Sequence, residues 1–235
     1  MMTPSGARGR GIAARDVRAE VRAIRERMKC GGYPLIVLVS GVHGIGKTTL
    51  SHELSRRLGI RQRVGLGAIV KTLIEFGLPA DTPGAAPMMD NVLDLEDPAS
   101  QLDAHARVIC RVVDRLVRTY HAQDVHCVID GVQLLPRYLH LSPDVIHLHL
   151  AVSDFGAYVR QVRGSASHKY GEIEAATERA LGTLDRVLAR EMQESQEVVV
   201  LPHRRPVGGV VAEAIRVIYE RYVQGGGSGL CSGNE

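Results

Sequence analysis

Residues 41–48 combine three glycines, a lysine and a hydroxyl side chain in a spacing that suits phosphate binding. They read GVHGIGKT and fit the pattern Gly, four residues, Gly-Lys-Ser/Thr. Such a loop directs successive backbone N–H groups at an anion where a helix begins. Its lysine reaches the β- and γ-phosphates of a nucleoside triphosphate, and its hydroxyl ligates Mg²⁺. The residues predicted to form this nucleotide site are Gly41, His43, Gly44, Ile45, Gly46, Lys47, Thr48 and Thr49.

Asp130 is a second candidate for chemistry, because it directly follows the apolar stretch 125–129. Ligands collect at the carboxyl ends of the strands in open parallel sheets. A carboxylate there, downstream of a phosphate loop, can support Mg²⁺ or accept the proton of an attacking hydroxyl. The alternative is an aspartate that only forms a turn before Gly131. We favour the catalytic interpretation, in which Thr48 and Asp130 are the predicted metal ligands.

Basic residues surround a Gly/Ser stretch between two predicted helices at 158–171. Phosphoryl transfer uses mobile cations that stabilise charge near the γ-phosphate and exclude water on closing. The segment is therefore predicted to be a lid, with Arg163 as the catalytic arginine and Arg160 as its competitor; a solvated basic loop is the alternative. The residues considered for binding an anionic substrate are Lys71, Arg137, His168 and Lys169.

Other polar clusters are predicted to have no catalytic role. His147 and His149 alternate on one strand face, but no third ligand has an obvious place, so we expect a structural role for both. The acidic residues at 90–97 are expected to form a solvated loop. The four cysteines are scattered and include no Cys-x-x-Cys pair, which indicates reduced thiols without a disulfide or zinc framework.

Predicted strands and helices alternate along the chain, which indicates an α/β fold. We expect a three-layer P-loop fold with a central parallel sheet, helices on both faces and an arginine-bearing lid. Predicted strands cover residues 33–39, 125–129, 144–152 and 197–202, with a further short segment from 62 that leads into a helix to 76. The other predicted helices cover residues 13–29, 49–58, 99–120, 171–194 and 208–222, and one that Ser153 or Asp154 caps ends at Arg163.

The composition of the 235 residues is that of an ordinary globular domain. We expect this domain to cover 13–224, between a disordered segment 1–12 and a flexible tail 225–235. The net charge is only +3, Trp is absent and aromatic residues make up 4%, so nucleic acid is not an expected partner. No apolar run has the length of a membrane span and no secretory signal precedes the first strand, which predicts a cytoplasmic protein without a membrane partner. A homodimer is compatible with the sequence.

Three segments resemble the 2-phosphoglycerate kinases, which belong to the P-loop proteins similar to nucleoside-monophosphate kinases. They are GVHGIGKTT (41–49), IDGVQLLP (129–136) and RQVRGSASHKY (160–170). The resemblance implies that ATP and Mg²⁺ are used to phosphorylate the hydroxyl of a small phosphorylated acid. It also implies that Lys47 and Thr48 hold ATP and Mg²⁺. Asp130 would then take the place of an acid that is usually Glu, and Arg163 would match the lid arginine.

The acceptor half of the predicted site departs from that family. The stretch VGLGAIVKTL (64–73) lacks the expected Thr-Asp pair and following Arg, and Gln133 stands where the family often has His. We therefore expect a kinase with a changed acceptor, which is small and anionic. Two alternatives stay open: a kinase of a nucleotide or nucleotide-linked sugar, and a non-catalytic ATP-binding regulatory protein. In the second alternative the basic helix 13–29 would be the partner site, although a solvated surface is the favoured interpretation of that helix.

Overall fold

Parallel strands form a sheet at the centre of the fold. The structure is a computed structural model that describes residues 16–76, 93–164, 174–203 and 207–225. Within those residues the sheet has five strands in the order β2-β3-β1-β4-β5, and each pairs in parallel with its neighbour. The strands are β1 (Ile36–Gly41), β2 (Gln62–Gly65), β3 (Cys127–Asp130), β4 (Ile146–Ala151) and β5 (Val198–Pro202).

Helices follow the strands and cover both faces of the sheet. They are α1 (Val17–Lys29), α2 (Lys47–Leu58), α3 (Leu66–Phe76), α4 (Pro98–Ala122), α5 (Phe155–Arg163), α6 (Ala175–Glu194) and α7 (Val207–Ile218). A 3-10 turn covers Pro136–Tyr138, and a π-helical segment (Tyr219–Gln224) continues α7. Helices α1, α2 and α7 contact one another in one layer, and α4 contacts α3 and α6 in the other.

The local sequence explains why these elements form. Strand β1 is buried along its whole length, as expected of a central strand in a parallel sheet covered on both faces. In α2, Leu50, Leu54 and Leu58 recur every four residues and are buried in the core. Aspartate side chains accept backbone N–H bonds at the start of three helices, where unpaired donors would otherwise remain. These caps are Asp16 for α1, Asp97 for α4 and Asp154 for α5.

The register of the sheet aligns the carboxyl ends of three strands. Asp130 at the end of β3 lies opposite Val39 of β1 and Gly65 of β2. The loop after β1 and the start of α3 after β2 therefore both lie at the edge that contains Asp130. This edge is the place where ligands bind in open α/β sheets.

The predicted fold class is confirmed: the structure has a parallel sheet between two helical layers. The boundaries differ by a few residues, since β1 covers Ile36–Gly41 rather than 33–39 and α2 begins at Lys47 rather than Thr49. The predicted lid, 158–171, is described only up to Gly164. The predicted segment 1–12 and all of the predicted tail 225–235 except Gly225 lie outside the described residues. None of the described helices combines the length and apolar character that crossing a membrane requires.

Candidate functional site

The loop between β1 and α2 has the backbone conformation that an anion-binding loop requires. Gly44 and Gly46 have φ values of +74° and +107°, which side-chain-bearing residues rarely adopt. Gly46 is the residue before the first turn of α2, and no side chain caps the N–H groups of that turn. Unpaired N–H groups at a helix start provide donors and a positive dipole end for phosphate. The geometry is thus suited to the phosphate-binding role predicted for residues 41–49.

The loop lysine lies inside the loop. Lys47 is buried, with a 9% exposed fraction, and its Nζ donates a hydrogen bond to the carbonyl oxygen of Val42 at 2.9 Å. This bond joins the end of the loop to its beginning and holds the ammonium inside the loop. A phosphate that entered the loop would offer charged oxygens in place of a neutral carbonyl, and bonds between charged groups are the stronger ones.

The loop hydroxyl and the strand-end carboxylate are in direct contact. The Thr48 hydroxyl donates to Oδ2 of Asp130 at 3.1 Å, and Asp130 is buried with a 6% exposed fraction. Mg²⁺ in nucleotide sites is bound by one or two protein oxygens together with substrate phosphates. Among the described residues no group of three or more His, Cys, Asp or Glu forms a ready-made metal site. Thr48 and Asp130 therefore fit Mg²⁺ of the kind that arrives with a nucleotide.

A buried polar cluster lies under the loop. Ser40, the penultimate residue of β1, has its Oγ 2.8 Å from Nε2 of His147 and 3.0 Å from Nδ1 of His149. Burial lowers the pKa of His147 to about 3, with a further contribution from His149. Burial and the positive charge of Lys47 lower the pKa of His149 to about 4. Both imidazoles are therefore neutral at neutral pH, and the Ser40 hydroxyl bonds to both rings, in donor and acceptor roles set by which nitrogen of each ring carries the proton.

Helix α5 packs on the outside of the loop. The Tyr158 hydroxyl donates to the carbonyl oxygen of His43 at 2.6 Å, and Nε2 of Gln161 donates to that of Gly44 at 3.1 Å. A Cβ on Gly44 would lie 2.8 Å from Cγ2 of Val162. The glycine thus allows α5 to approach the loop closely, and two hydrogen bonds fix α5 there.

The two candidate lid arginines lie at the end of α5. Arg163 is its last residue and pairs with Glu178 of α6, while Arg160 is exposed one turn earlier. The Arg163 and Glu178 side chains are 54% and 30% exposed, so solvent screens their attraction. His168 and Lys169, the other basic candidates of this segment, lie outside the described residues. The structure therefore places Arg163 directly after Val162, the α5 residue that packs against Gly44, and pairs it with a partner that solvent also reaches.

Arg137 does not join this group. Its guanidinium pairs with Asp103 of α4 at 2.5 Å and with Glu191 of α6, and it lies over the Tyr138 ring. The side chain therefore connects α4, the 3-10 turn and α6, which favours a structural role over the predicted one in substrate binding. Lys71 lies exposed on α3, the helix that begins beside Asp130, and stays a candidate for the acceptor side.

Several residues at the site were not predicted as loop contacts from the sequence. Tyr158, Gln161 and Val162 are spaced three and four residues apart and so share one helix face, but nothing local indicates what that face contacts. Ser40 was also missed, although a hydroxyl in an otherwise apolar strand is a signal that a buried partner is needed. For His147 and His149, their hydrogen bonds to Ser40 are consistent with the expected structural role.

The parallel sheet, the phosphate loop and the strand-end acid define the chain as a P-loop protein with the fold of small-molecule kinases. A shikimate kinase from Acinetobacter baumannii, solved with shikimate, superposes with a TM-score of 0.51 and 13% identity. The match covers 86% of this chain and 99% of that one. At this identity the match shows the fold alone.

Sequence comparison gives a more particular likeness, to 2-phosphoglycerate kinases. The chain is 26% identical to the enzyme of Methanopyrus kandleri over 161 residues, which are 60% of this chain and 46% of that protein. It is also 26% identical to the enzyme of Pyrococcus horikoshii over 131 residues, 51% of this chain and 42% of that protein. The resemblance predicted from three segments is thus confirmed as sequence similarity. The chain spans less than half the length of these relatives, and no family model matches it.

Proposed function

We propose that this protein is a kinase that transfers the γ-phosphoryl group of ATP to a hydroxyl of a small anionic acceptor, with Mg²⁺ as the metal. The observation that carries the proposal is the contact between Thr48 and Asp130, 3.1 Å between the hydroxyl and the carboxylate oxygen. It joins the phosphate loop to an acid on a neighbouring strand, which is the pair of groups that phosphoryl transfer needs. The names of the relatives make 2-phosphoglycerate the first acceptor to test.

In the proposed reaction the loop positions and neutralises the triphosphate. The glycine-rich backbone and the first turn of α2 supply N–H donors to the phosphates, and Lys47 supplies a fixed positive charge. Thr48 and Asp130 are the residues that would hold Mg²⁺, which when bound offsets the negative charge of the phosphates. Asp130 is also the group placed to accept the acceptor's proton. Arg163 would leave Glu178 and bind the oxygens of the transferred group.

The acceptor is proposed to enter beside the junction of β2 and α3. Gly65 lies opposite Asp130 in the sheet register, and a Cβ on Gly65 or Gly67 would meet no atom within 4 Å. Among the described residues, therefore, no side chain from elsewhere in the fold packs against these two glycines. Lys71, one turn further along α3, is the cation available for an acceptor anion. The open space beside these glycines is consistent with an acceptor that differs from that of the relatives.

The proposal is tested by ADP release with a panel of acceptors. The panel begins with 2-phosphoglycerate and continues with other phosphorylated hydroxy acids, sugars, nucleosides and nucleotides, each with ATP and Mg²⁺. We expect at least one acceptor to stimulate ADP release well above the rate with ATP alone. The Lys47→Ala variant should lose that turnover while it stays folded, because the ammonium stabilises the transition state. The lost hydrogen bond to the Val42 carbonyl should lower the free energy of unfolding by only about 1 kcal/mol.

The outcomes separate the proposal from its alternatives. ATP binding without turnover on any acceptor would favour the non-catalytic regulatory protein. Turnover restricted to a nucleotide or nucleotide-linked sugar would favour the second kinase class. Near wild-type turnover of Lys47→Ala with the active acceptor would contradict the role of the loop.

A further inference from the structure

Basic side chains form a row along the exposed face of α1. Arg18, Arg22, Arg25 and Lys29 are four, three and four residues apart, so they lie on one face of the helix. All four are exposed, and among the described residues none of their side chains has an ion-pair partner. At about 1.5 Å per residue, this basic row extends about 16 Å along the helix axis.

The basic row borders a groove between α1 and α2. The groove has a volume of about 490 Å³ and is lined by Val17, Arg18, Val21, Arg25, Arg56 and Arg57. An adjoining cavity of about 340 Å³ continues along the row to Lys29. Two carboxylates lie here: Glu26 lines the second cavity, and Glu53 pairs with both α2 arginines. The six basic side chains outnumber them, and the groove is cationic.

The charge of the chain is concentrated on this segment. Residues 1–29 contain eight basic and three acidic residues, while the other 206 residues contain 21 basic and 23 acidic ones. The part of the chain beyond residue 29 is therefore slightly acidic. A net charge of +3 for the whole chain hides this local excess, of which the structure places Arg18, Arg22, Arg25 and Lys29 on one face of α1.

The chemistry of the groove suits phosphates better than an acidic protein. Five of its six basic side chains are arginines, whose guanidinium binds two phosphate oxygens at once. Protein interfaces are centred on apolar and aromatic anchors. The large hydrophobic side chains that are exposed among the described residues are Leu95, Phe155 and Val200, and none of these lies in α1 or α2. A phosphate backbone requires no such anchor.

We propose that the basic row and its groove bind the phosphate backbone of a nucleic-acid duplex without reading the bases. A duplex carries one phosphate per about 3.4 Å of axis on each strand, so a row of about 16 Å spans roughly five phosphates of one strand. The described residues that line the groove include no aromatic side chain to stack on bases. Binding is therefore independent of base sequence and strongly dependent on salt.

The experiment measures the anisotropy of a fluorescent DNA duplex of mixed sequence, about 20 base pairs long, at salt concentrations from about 50 to 200 mM. Saturating ATP is included, so that the phosphate loop is not available to the DNA. The test variant is Arg18→Gln/Arg22→Gln/Arg25→Gln, which removes three charges of the basic row. We expect its affinity at about 50 mM salt to fall at least tenfold and its salt slope to become shallower by about two to three, at about 0.9 per lost phosphate contact.

A matched control exists in the other helical layer. Arg111, Arg115 and Arg118 of α4 have the same spacing as the three substituted arginines and are also exposed, but they do not line the groove. The control variant Arg111→Gln/Arg115→Gln/Arg118→Gln loses the same number of charges. We expect its affinity to stay within about twofold of wild type, because these arginines make none of the proposed phosphate contacts. Equal melting temperatures of the two variants establish that both remain folded.

Three results would overturn the proposal. The first is no binding of the duplex by the wild-type chain at about 50 mM salt. The second is an equal loss of affinity in the α1 and α4 variants, which would mean a general attraction to positive charge. The third is tighter binding of a poly-glutamate peptide of the same net charge than of the duplex, which would identify an acidic protein as the partner.

Discussion

Gly44 offers the sharpest test of how the phosphate loop is held. The Gly44→Ala variant adds a Cβ 2.8 Å from Cγ2 and 3.4 Å from Cγ1 of Val162, at a position whose φ is +74°. The backbone conformation alone costs an L-residue about 1–2 kcal/mol. Forcing the extra carbon against a packed side chain adds about 1–3 kcal/mol. We therefore expect the free energy of unfolding to fall by roughly 2–5 kcal/mol, and the affinity for ATP to fall with it.

Gly46 supplies a matched control. Its φ of +107° is also unfavourable for alanine, but a Cβ there would have no atom within 4 Å. Gly46→Ala should therefore show the conformational cost without the steric one. For a chain of this size, the steric cost of about 1–3 kcal/mol corresponds to a melting temperature of Gly44→Ala that is lowered by roughly 2–12 °C beyond the effect of its backbone conformation.

A double mutant separates the two costs further. Val162→Ala removes the methyl groups that the new Cβ would meet, so Gly44→Ala/Val162→Ala should be less destabilised than the sum of the two single variants by about 1–3 kcal/mol. The assays are thermal denaturation and calorimetric ATP titration. The inference that α5 presses on the loop would be refuted if the effects of Gly44→Ala and Val162→Ala on the free energy of unfolding were additive.

Further predictions concern the acid, the lid and the buried histidines. Asp130→Asn should lower turnover by about two to four orders of magnitude with a smaller effect on ATP affinity, because the amide cannot act as a base; wild-type turnover would reduce Asp130 to a turn residue. Arg163→Lys should reduce turnover more than ATP affinity, because an ammonium cannot make the bidentate phosphate contact of a guanidinium. If only Arg160→Lys lost turnover, Arg160 rather than Arg163 would be the catalytic arginine. The free energy of unfolding should fall as pH drops from about 6.5 to about 4, because the unfolded chain binds protons that neutral, buried His149 does not. In His149→Gln the free energy of unfolding should fall less over this pH range. Denaturant titrations at several pH values measure the fall, and one as steep as that of the wild type would contradict the prediction.

The sequence predicts those parts of the fold and site whose signal is local. Residues 41–48 carry the loop pattern within one short stretch, and its flanking strand and helix are each marked by their own apolar residues. The approach of Asp130 to Thr48 follows from a general rule, since both lie at the carboxyl edge of the same parallel sheet. The structure brings these two residues together across 82 positions of sequence.

Contacts that depend on packing could not be predicted in this way. Arg137 follows the strand of Asp130 by only seven residues, but the packing of α4 and α6 brings Asp103 and Glu191 to its guanidinium. Tyr158 and Gln161 lie more than 100 positions from the loop carbonyls to which they donate. No local pattern specifies such partners, because they are set by the relative placement of whole helices.

The phosphate loop is supported on two sides, and this support bears on the role proposed for Arg163 at the end of α5. On the side of the sheet, the hydrogen bond between Ser40 and His149 fixes the end of β1 against β4. On the opposite side, α5 is fixed against the loop by Tyr158, Gln161 and Val162. A site held in this way needs little reorganisation when charge develops in it. The residue after Val162 is Arg163, whose exposed pair with Glu178 is worth at most about 1 kcal/mol. A phosphate oxygen can therefore replace Glu178 by moving one side chain, while the face of α5 that holds the loop stays packed.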